Sequence, residues 1–227
     1  MKLRYFGHSC FTVEKDGAIL LFDPFVRSNP LAQHIDIEDI NPNFIFISHA
    51  HEDHLADAVE LALKSNATTV SNFEIINWLE SKGLSNTKAL NIGGTIKAGA
   101  FDVKCVQAIH SSSFPDGGYG GTAMGFIASS THESFYYSGD TGIFGDMTLI
   151  GEFNRLDFAV FPIGGTFTMD STDAIRAAKL CKVSKVVGVH YNTFSPIKID
   201  LNTVKKQFEE SNIKLILLEI GQEIELE

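Results

Sequence analysis

The segment that most constrains this chain is residues 44–54, FIFISHAHEDH. Phe44-Ile45-Phe46-Ile47-Ser48 is apolar, β-branched and aromatic, the composition of a short strand buried on both faces. It breaks abruptly into His49-Ala50-His51-Glu52-Asp53-His54, three histidines and an aspartate within six residues. Imidazole nitrogen and carboxylate oxygen are ligands that a borderline divalent ion such as zinc accepts. A tight turn at a strand end, held by a rigid scaffold, is where open α/β sheets present such groups. A histidine-rich surface loop would explain the same letters, but this density of ligands favours a metal site.

The flanks read as strands and helices in alternation. Residues 2–6, 10–14 and 18–22 are β-prone, and Asp16-Gly17 between the last two is a hairpin signal. Asp23-Pro24 stops the third run, and residues 27–43, polar and with two prolines, read as a connecting loop or lid. Leu55, Ala58, Val59 and Ala62 mark an amphipathic helix, with Asp53 near its capping position. Further strands are expected at 68–70, 88–92, 95–97 and 101–109, with a helix at 74–80. The second half has the same manner without repeating the sequence. It offers a hairpin of 123–129 and 134–138, then strands at 157–161 and 185–189. Asp170 caps a helix bearing Ala174, Ala177, Ala178 and Cys181 on one face. A helix at 200–210 and strands at 214–219 and 222–226 close the chain. The expected architecture is α/β, two sheets with helices outside, in one domain over residues 1–227.

Composition narrows the class. At 227 residues, 44% hydrophobic and 20% charged, the chain has ordinary globular values and can bury its own core. Cys10, Cys105 and Cys181 are odd in number and lack CxxC spacing, which favours buried thiols in a reducing compartment over disulfides. No signal-peptide-like start and no run of ~18 apolar residues is present, so a cytoplasmic protein is expected. A net charge of −10 without a Lys/Arg cluster argues against nucleic-acid or anionic-membrane partners.

Three later residues stand just past the end of an apolar strand: His110, Asp140 after the sharp turn that Gly139 permits, and His190. With the first cluster they make seven candidate ligands, five histidines and two aspartates. Seven is too many for one tetrahedral site and suits two ions sharing a bridging carboxylate. The order His49-x-His51-x-Asp53-His54, His110, Asp140, His190 resembles the metallo-β-lactamase superfamily, whose fold is an αββα sandwich. The resemblance covers essentially the whole chain. Gly7-His8-Ser9, Gly139-Asp140-Thr141, Thr168-Met169 and His190-Tyr191-Asn192-Thr193-Phe194 bring it closest to a small family of metal-dependent hydrolases near the ascorbate-phosphate lactonases. It implies that His49, His51 and His110 hold one ion, that Asp53, His54 and His190 hold the second, and that Asp140 bridges. Zinc is the first expectation for both, with manganese or iron as alternatives. Water between cations ~3.5–4 Å apart loses its proton near neutral pH. That bridging hydroxide would attack an ester, lactone or phosphoester of a small molecule, with Asp53 as the acceptor of its proton.

Other residues have two readings. His8, at a hairpin corner, either faces the cleft as acid or substrate contact or is structural. Asp23 either orients a metal-bound imidazole or forms an Asp-Pro turn. Thr168, Met169, Thr193 and Phe194 are expected to line the substrate pocket. Glu52, the variable position of the motif, is expected in solvent, as are His34 and His132. Glycine-rich residues 116–121 form either a flap or, the preferred reading, a long hairpin loop. A ribonuclease or phosphodiesterase of the RNA-processing branch would share this metal site, but the acidic chain has no basic arm for RNA. A non-catalytic metal-binding protein is the remaining reading, and a homo-oligomer is compatible with any of them.

Overall fold

The computed structural model describes residues 1–226. The first half supplies β1 (Lys2–Gly7), β2 (Cys10–Lys15), β3 (Ala18–Phe22), β4 (Phe44–Phe46), β5 (Thr68–Ser71) and β6 (Thr87–Ala89). Its helices are α1 (Glu52–Leu55), α2 (Ala58–Ser65) and α3 (Phe73–Ser81). The second half supplies β7 (Thr95–Ala98), β8 (Phe101–Gln107), β9 (Met124–Ser129), β10 (Ser134–Tyr137), β11 (Phe158–Pro162), β12 (Lys185–Val189) and β13 (Lys214–Ile216). With them come α4 (Met147–Phe153), α5 (Ser171–Leu180) and α6 (Leu201–Glu210). The last strand, β14 (Glu223–Glu225), returns to the edge of the first sheet beside β1.

Two seven-stranded mixed sheets result, β14-β1-β2-β3-β4-β5-β6 and β13-β12-β11-β10-β9-β8-β7. In the first, β1 to β3 form an antiparallel meander and β3 to β6 run parallel. The second repeats this, antiparallel from β7 to β10 and parallel from β10 to β13. The halves therefore share a topology that their sequences do not display.

Period-two alternation shows how the layers stack. Phe135 and Tyr137 of β10 enter the core between the sheets with Phe11, Phe22, Phe46 and Phe126. Tyr136, on the opposite face, packs against Phe161, Ala174, Ala178 and Phe208 beneath α5 and α6. Ile45, Ile47, Leu61, Ile75 and Leu79 do the same on the other outer face. The order is helices, sheet, sheet, helices. Among the described residues no helix is long and apolar enough to cross a membrane.

Four details differ from the sequence reading. The helix expected after the histidine cluster divides into α1 and α2, because Asp57 leaves helical register to bind another segment. Its backbone N–H donates to Pro24 O (3.1 Å), and its Oδ2 accepts from the N–H groups of Val26 and Arg27 (2.5 and 3.0 Å). Asp53 does not cap α1: His51 takes that position, without a side-chain bond, and the Asp53 carboxylate is used elsewhere. Residues 27–43 are not a free lid, since Ala32, Ile37 and Ile40 are buried in the core under α2 and α3. Helix α4 has no counterpart in the sequence reading; its Asp146 N-cap makes no side-chain capping bond that would have announced it.

Candidate metal centre

The carboxyl ends of β3, β4, β10 and β12, with the loops after β1 and β8, meet at one edge of the sandwich. Three residues there take left-handed backbone conformations: His8 (φ 54°), Asp23 (φ 43°) and His190 (φ 55°). Such strain persists only where the surroundings impose it. Here the His190 N–H donates to His8 O (2.8 Å), and Asp23 N–H donates to Phe46 O (3.0 Å). The Tyr5 hydroxyl donates to the same His8 carbonyl (3.1 Å). Gly139, at φ 61°, lets the chain pass so closely that a Cβ would stand 2.5 Å from Met124 O.

All seven expected ligand residues come together. His49, His51 and His110 present atoms within 4.8 Å of one another, as do Asp53, His54 and His190 with His8 added. His49 Nε2 and His51 Nδ1 lie 2.9 Å apart, within hydrogen-bond distance of each other. Asp140 stands between the groups, its Oδ2 2.9 Å from His190 Nε2, 3.4 Å from His54 Nε2 and 3.8 Å from His110 Nε2.

Second partners fix which nitrogen each ring turns inward. The fully buried Asp23 accepts at Oδ2 from His54 Nδ1 (2.7 Å), Ser48 Oγ (2.6 Å) and the Tyr137 hydroxyl (2.5 Å), and at Oδ1 from Ser48 N–H (2.7 Å). Ser48 Oγ in turn accepts from His49 Nδ1 (2.9 Å). Both rings thus turn Nε2 toward the interior, where His49 Nε2 meets His51 and His54 Nε2 meets Asp140. His8 Nε2 donates to Asp53 Oδ2 (3.0 Å) and its Nδ1 accepts from Thr193 Oγ1 (3.0 Å). Burial pushes the His8 pKa down to about 4, so the ring is neutral and this pairing follows.

The donor set fits cations. Burial lowers the pKa of His49, His51 and His110, which keeps them neutral and able to ligate. Burial would lower His54 too, but Asp140, Asp23 and Asp53 around it raise it well above the usual imidazole range. Burial would raise Asp140, yet His190 and His54 hold it well below the usual carboxylate range. His54 Nε2 and Asp140 Oδ1 are nevertheless buried without a hydrogen-bond partner. Buried orphans of this kind, facing one another's groups, are what a bound cation satisfies.

The surrounding loops brace this arrangement. Thr141 ties the Asp140 and His110 loops, its Oγ1 accepting from Ile109 N–H (2.9 Å) and its carbonyl from Met169 N–H (2.9 Å). Met169 itself is buried in the core beneath α5, so its contribution at this edge is that backbone bond; Thr168 is half-buried beside it. The glycine-rich loop packs under the histidine turn: Ser112 Oγ accepts from Ala50 N–H (3.2 Å), and Asn72 Nδ2 donates to Gly120 O (2.8 Å). A Cβ at Gly120 would sit 2.2 Å from that of Ala50. Phe194 and Phe25 stand edge-on to His8, at 5.4 and 5.6 Å between ring centroids. Glu52, His34 and His132 are exposed. Ser48 and Tyr137 were not singled out by sequence and Thr141 entered only within the Gly139-Asp140-Thr141 segment; tertiary contacts reveal what all three brace.

Two sheets between helix layers, with a histidine–aspartate cluster across their carboxyl edge, define the metallo-β-lactamase fold with a candidate metal centre. Comparison with known proteins assigns the family. Residues 2–190 match the family model described as the beta-lactamase superfamily domain. A UPF0173 metal-dependent hydrolase of Methylacidiphilum infernorum is 47% identical over 224 residues, spanning 99% of each chain. The chain belongs to this superfamily and, within it, to the UPF0173 metal-dependent hydrolases. Among solved structures, Igni18, a metallo hydrolase of Ignicoccus hospitalis, superposes with a TM-score of 0.88 at 37% identity, over 98% of this chain and 97% of that one. An isothiocyanate hydrolase from Delia radicum gut bacteria shares the fold, with a TM-score of 0.82 at 18% identity over 100% and 99% of the two chains.

Proposed function

We propose that this protein is a single-domain hydrolase that holds two divalent cations and cleaves an ester, lactone or phosphoester bond of a small molecule in the cytoplasm. The observation that carries this reading is the place of Asp140, whose Oδ2 lies within 3.8 Å of nitrogens from both histidine groups. His49, His51 and His110 would hold one ion, Asp53, His54 and His190 the other, and Asp140 would be shared. Zinc is the first expectation, with manganese and iron served by the same donors. When bound, the cations supply Lewis acidity, which makes water nucleophilic near neutral pH and polarises the bond under attack.

The chain's own residues set orientation and proton positions. Asp23 keeps the Nε2 lone pairs of His54 and, through Ser48, of His49 directed inward. His8 holds Asp53 by Oδ2, which leaves Oδ1 to take a proton from the attacking water and return it to the leaving oxygen. Thr193 fixes the His8 tautomer and so acts through it. Lactones are included because the Gly-His-Ser and His-Tyr-Asn-Thr-Phe segments resemble a small hydrolase family that lies near the ascorbate-phosphate lactonases.

The test combines metal analysis of the purified protein with turnover of chromogenic esters, lactones and phosphodiesters. His51→Ala and Asp140→Ala are expected to lower turnover by more than about 100-fold and to reduce bound cation, with an unchanged circular dichroism spectrum. Full activity in both variants would reject the reading.

A further inference from the structure

We propose that the substrate is an uncharged ester or lactone bearing a flat apolar group, seated against Phe25 and Phe194, and not a phosphorylated or carboxylate-bearing one. This rests on the hydrolase reading above and narrows it.

A cleft of about 330 Å³ opens directly beside Asp53 and is lined by Phe25, Ser28, Glu52, Asp53 and Phe194. That volume is at the small end of ligand sites, enough for a compact molecule. Its two aromatic walls are fixed in place. Phe25 follows the strained Asp23-Pro24 turn, and the next two N–H groups are tied to Asp57 Oδ2. Phe194 opens the 3-10 turn Ser195–Ile197, whose Ile197 is buried. The ring centroids of Phe25 and Phe194 are 6.3 Å apart at 48°, and both rings lean on His8. Walls held before binding cost little ordering when a flat group enters beside them.

Charge decides against anions. Among the described residues no lysine or arginine lines this cleft, and none lines the neighbouring recess of about 410 Å³ beyond Thr193, where Tyr5, Leu31, Tyr191 and Leu218 stand beside His34 and Glu219. Arg27 is near in sequence, but its guanidinium is engaged by Glu60 (2.8 and 2.5 Å) and it lines a different recess. The charged side chain exposed at the rim is Glu52. A phosphate or carboxylate remote from the scissile bond would meet that carboxylate and no counter-charge. Three carboxylates, Asp23, Asp53 and Asp140, already offset most of the charge that a pair of divalent cations brings.

The test uses full-length, metal-loaded protein and matched probes: 4-nitrophenyl phenylacetate against mono-4-nitrophenyl succinate, and dihydrocoumarin against 6-phosphogluconolactone. The neutral member of each pair is expected to lead in kcat/KM by at least about tenfold. Phe194→Ala is expected to raise KM for the phenylacetate by about five- to tenfold, with a smaller effect on kcat and the same bound-cation count. Glu52→Lys is expected to lower KM for the succinate about fivefold. Calorimetry with the corresponding amides, phenylacetanilide and succinanilic acid, reads binding without turnover. Preference for the anionic members overturns this inference while leaving the hydrolase reading intact. Preferential binding of the neutral amide without cleavage of any ester supports it and counts against hydrolysis. No binding and no cleavage overturns both.

Discussion

At Asp23 a single buried carboxylate accepts four hydrogen bonds, from Ser48 N–H, Ser48 Oγ, His54 Nδ1 and the Tyr137 hydroxyl. Two of the donors come from Ser48 just past β4, one from His54 in α1, and the fourth from β10 of the second sheet. An amide at this position would turn an NH₂ group toward donors that need an acceptor. Asp23→Asn is therefore expected to weaken cation binding about 10- to 100-fold, read by chelator competition. It should also cost about 1–3 kcal/mol in urea unfolding. Unaltered cation affinity would show that the two imidazoles orient without it. The His8 ring illustrates the same dependence on a partner: its neutral tautomer is set by Asp53 on one side and Thr193 on the other.

Elements show what a sequence can and cannot announce. The histidine turn was legible because its candidate ligands are neighbours in the chain and follow an unmistakably buried strand. His110, Asp140 and His190 were legible for a weaker reason, each being a polar residue that ends an apolar run. The braces were not legible. Ser48 is one serine of an apolar strand end, Tyr137 reads as core, and the role of Thr141 lies in bonds to two other loops. The break between α1 and α2 was hidden because Leu55 to Ala62 keeps helical period while Asp57 binds backbone thirty residues away. The glycine-rich loop was rightly read as a loop, yet its letters do not say that it props Ala50. Gly120→Ala tests that prop, since the added Cβ would meet Ala50 Cβ at 2.2 Å. Overpacking there is expected to cost about 1–3 kcal/mol and to lower cation occupancy, whereas Gly117→Ala, with nothing within 4 Å, should leave occupancy unchanged despite its φ of 85°.

Across the whole molecule the titratable cluster gives the cation-free protein a definite pH response. Burial lowers His8 to about 4 and lowers His49, His51 and His110, whereas the unfolded histidines titrate near ~6.5. As pH falls through that window the unfolded chain binds more protons than the folded one, so stability declines. His54 has the opposite sign: its contribution is present below its unfolded value and is lost as pH rises through its raised folded one. Urea midpoints measured in chelator should therefore rise from pH 4.5 to pH 7, with His8 alone contributing on the order of 2 kcal/mol. A flat profile would mean that the buried histidines relax into water when the cations are gone.

His8, Asp23 and His190 are among nine described non-glycine residues with left-handed backbones, and these three gather at the candidate metal centre, where the strain is a cost in thermal robustness. Asparagine or glycine at His8 or His190 would relax the chain locally and erase the reactive group in the same step. Wherever the strain relieved exceeds the hydrogen bonds lost, heat-resistant mutants selected without regard to turnover should include these two positions and so outline the candidate site from stability alone.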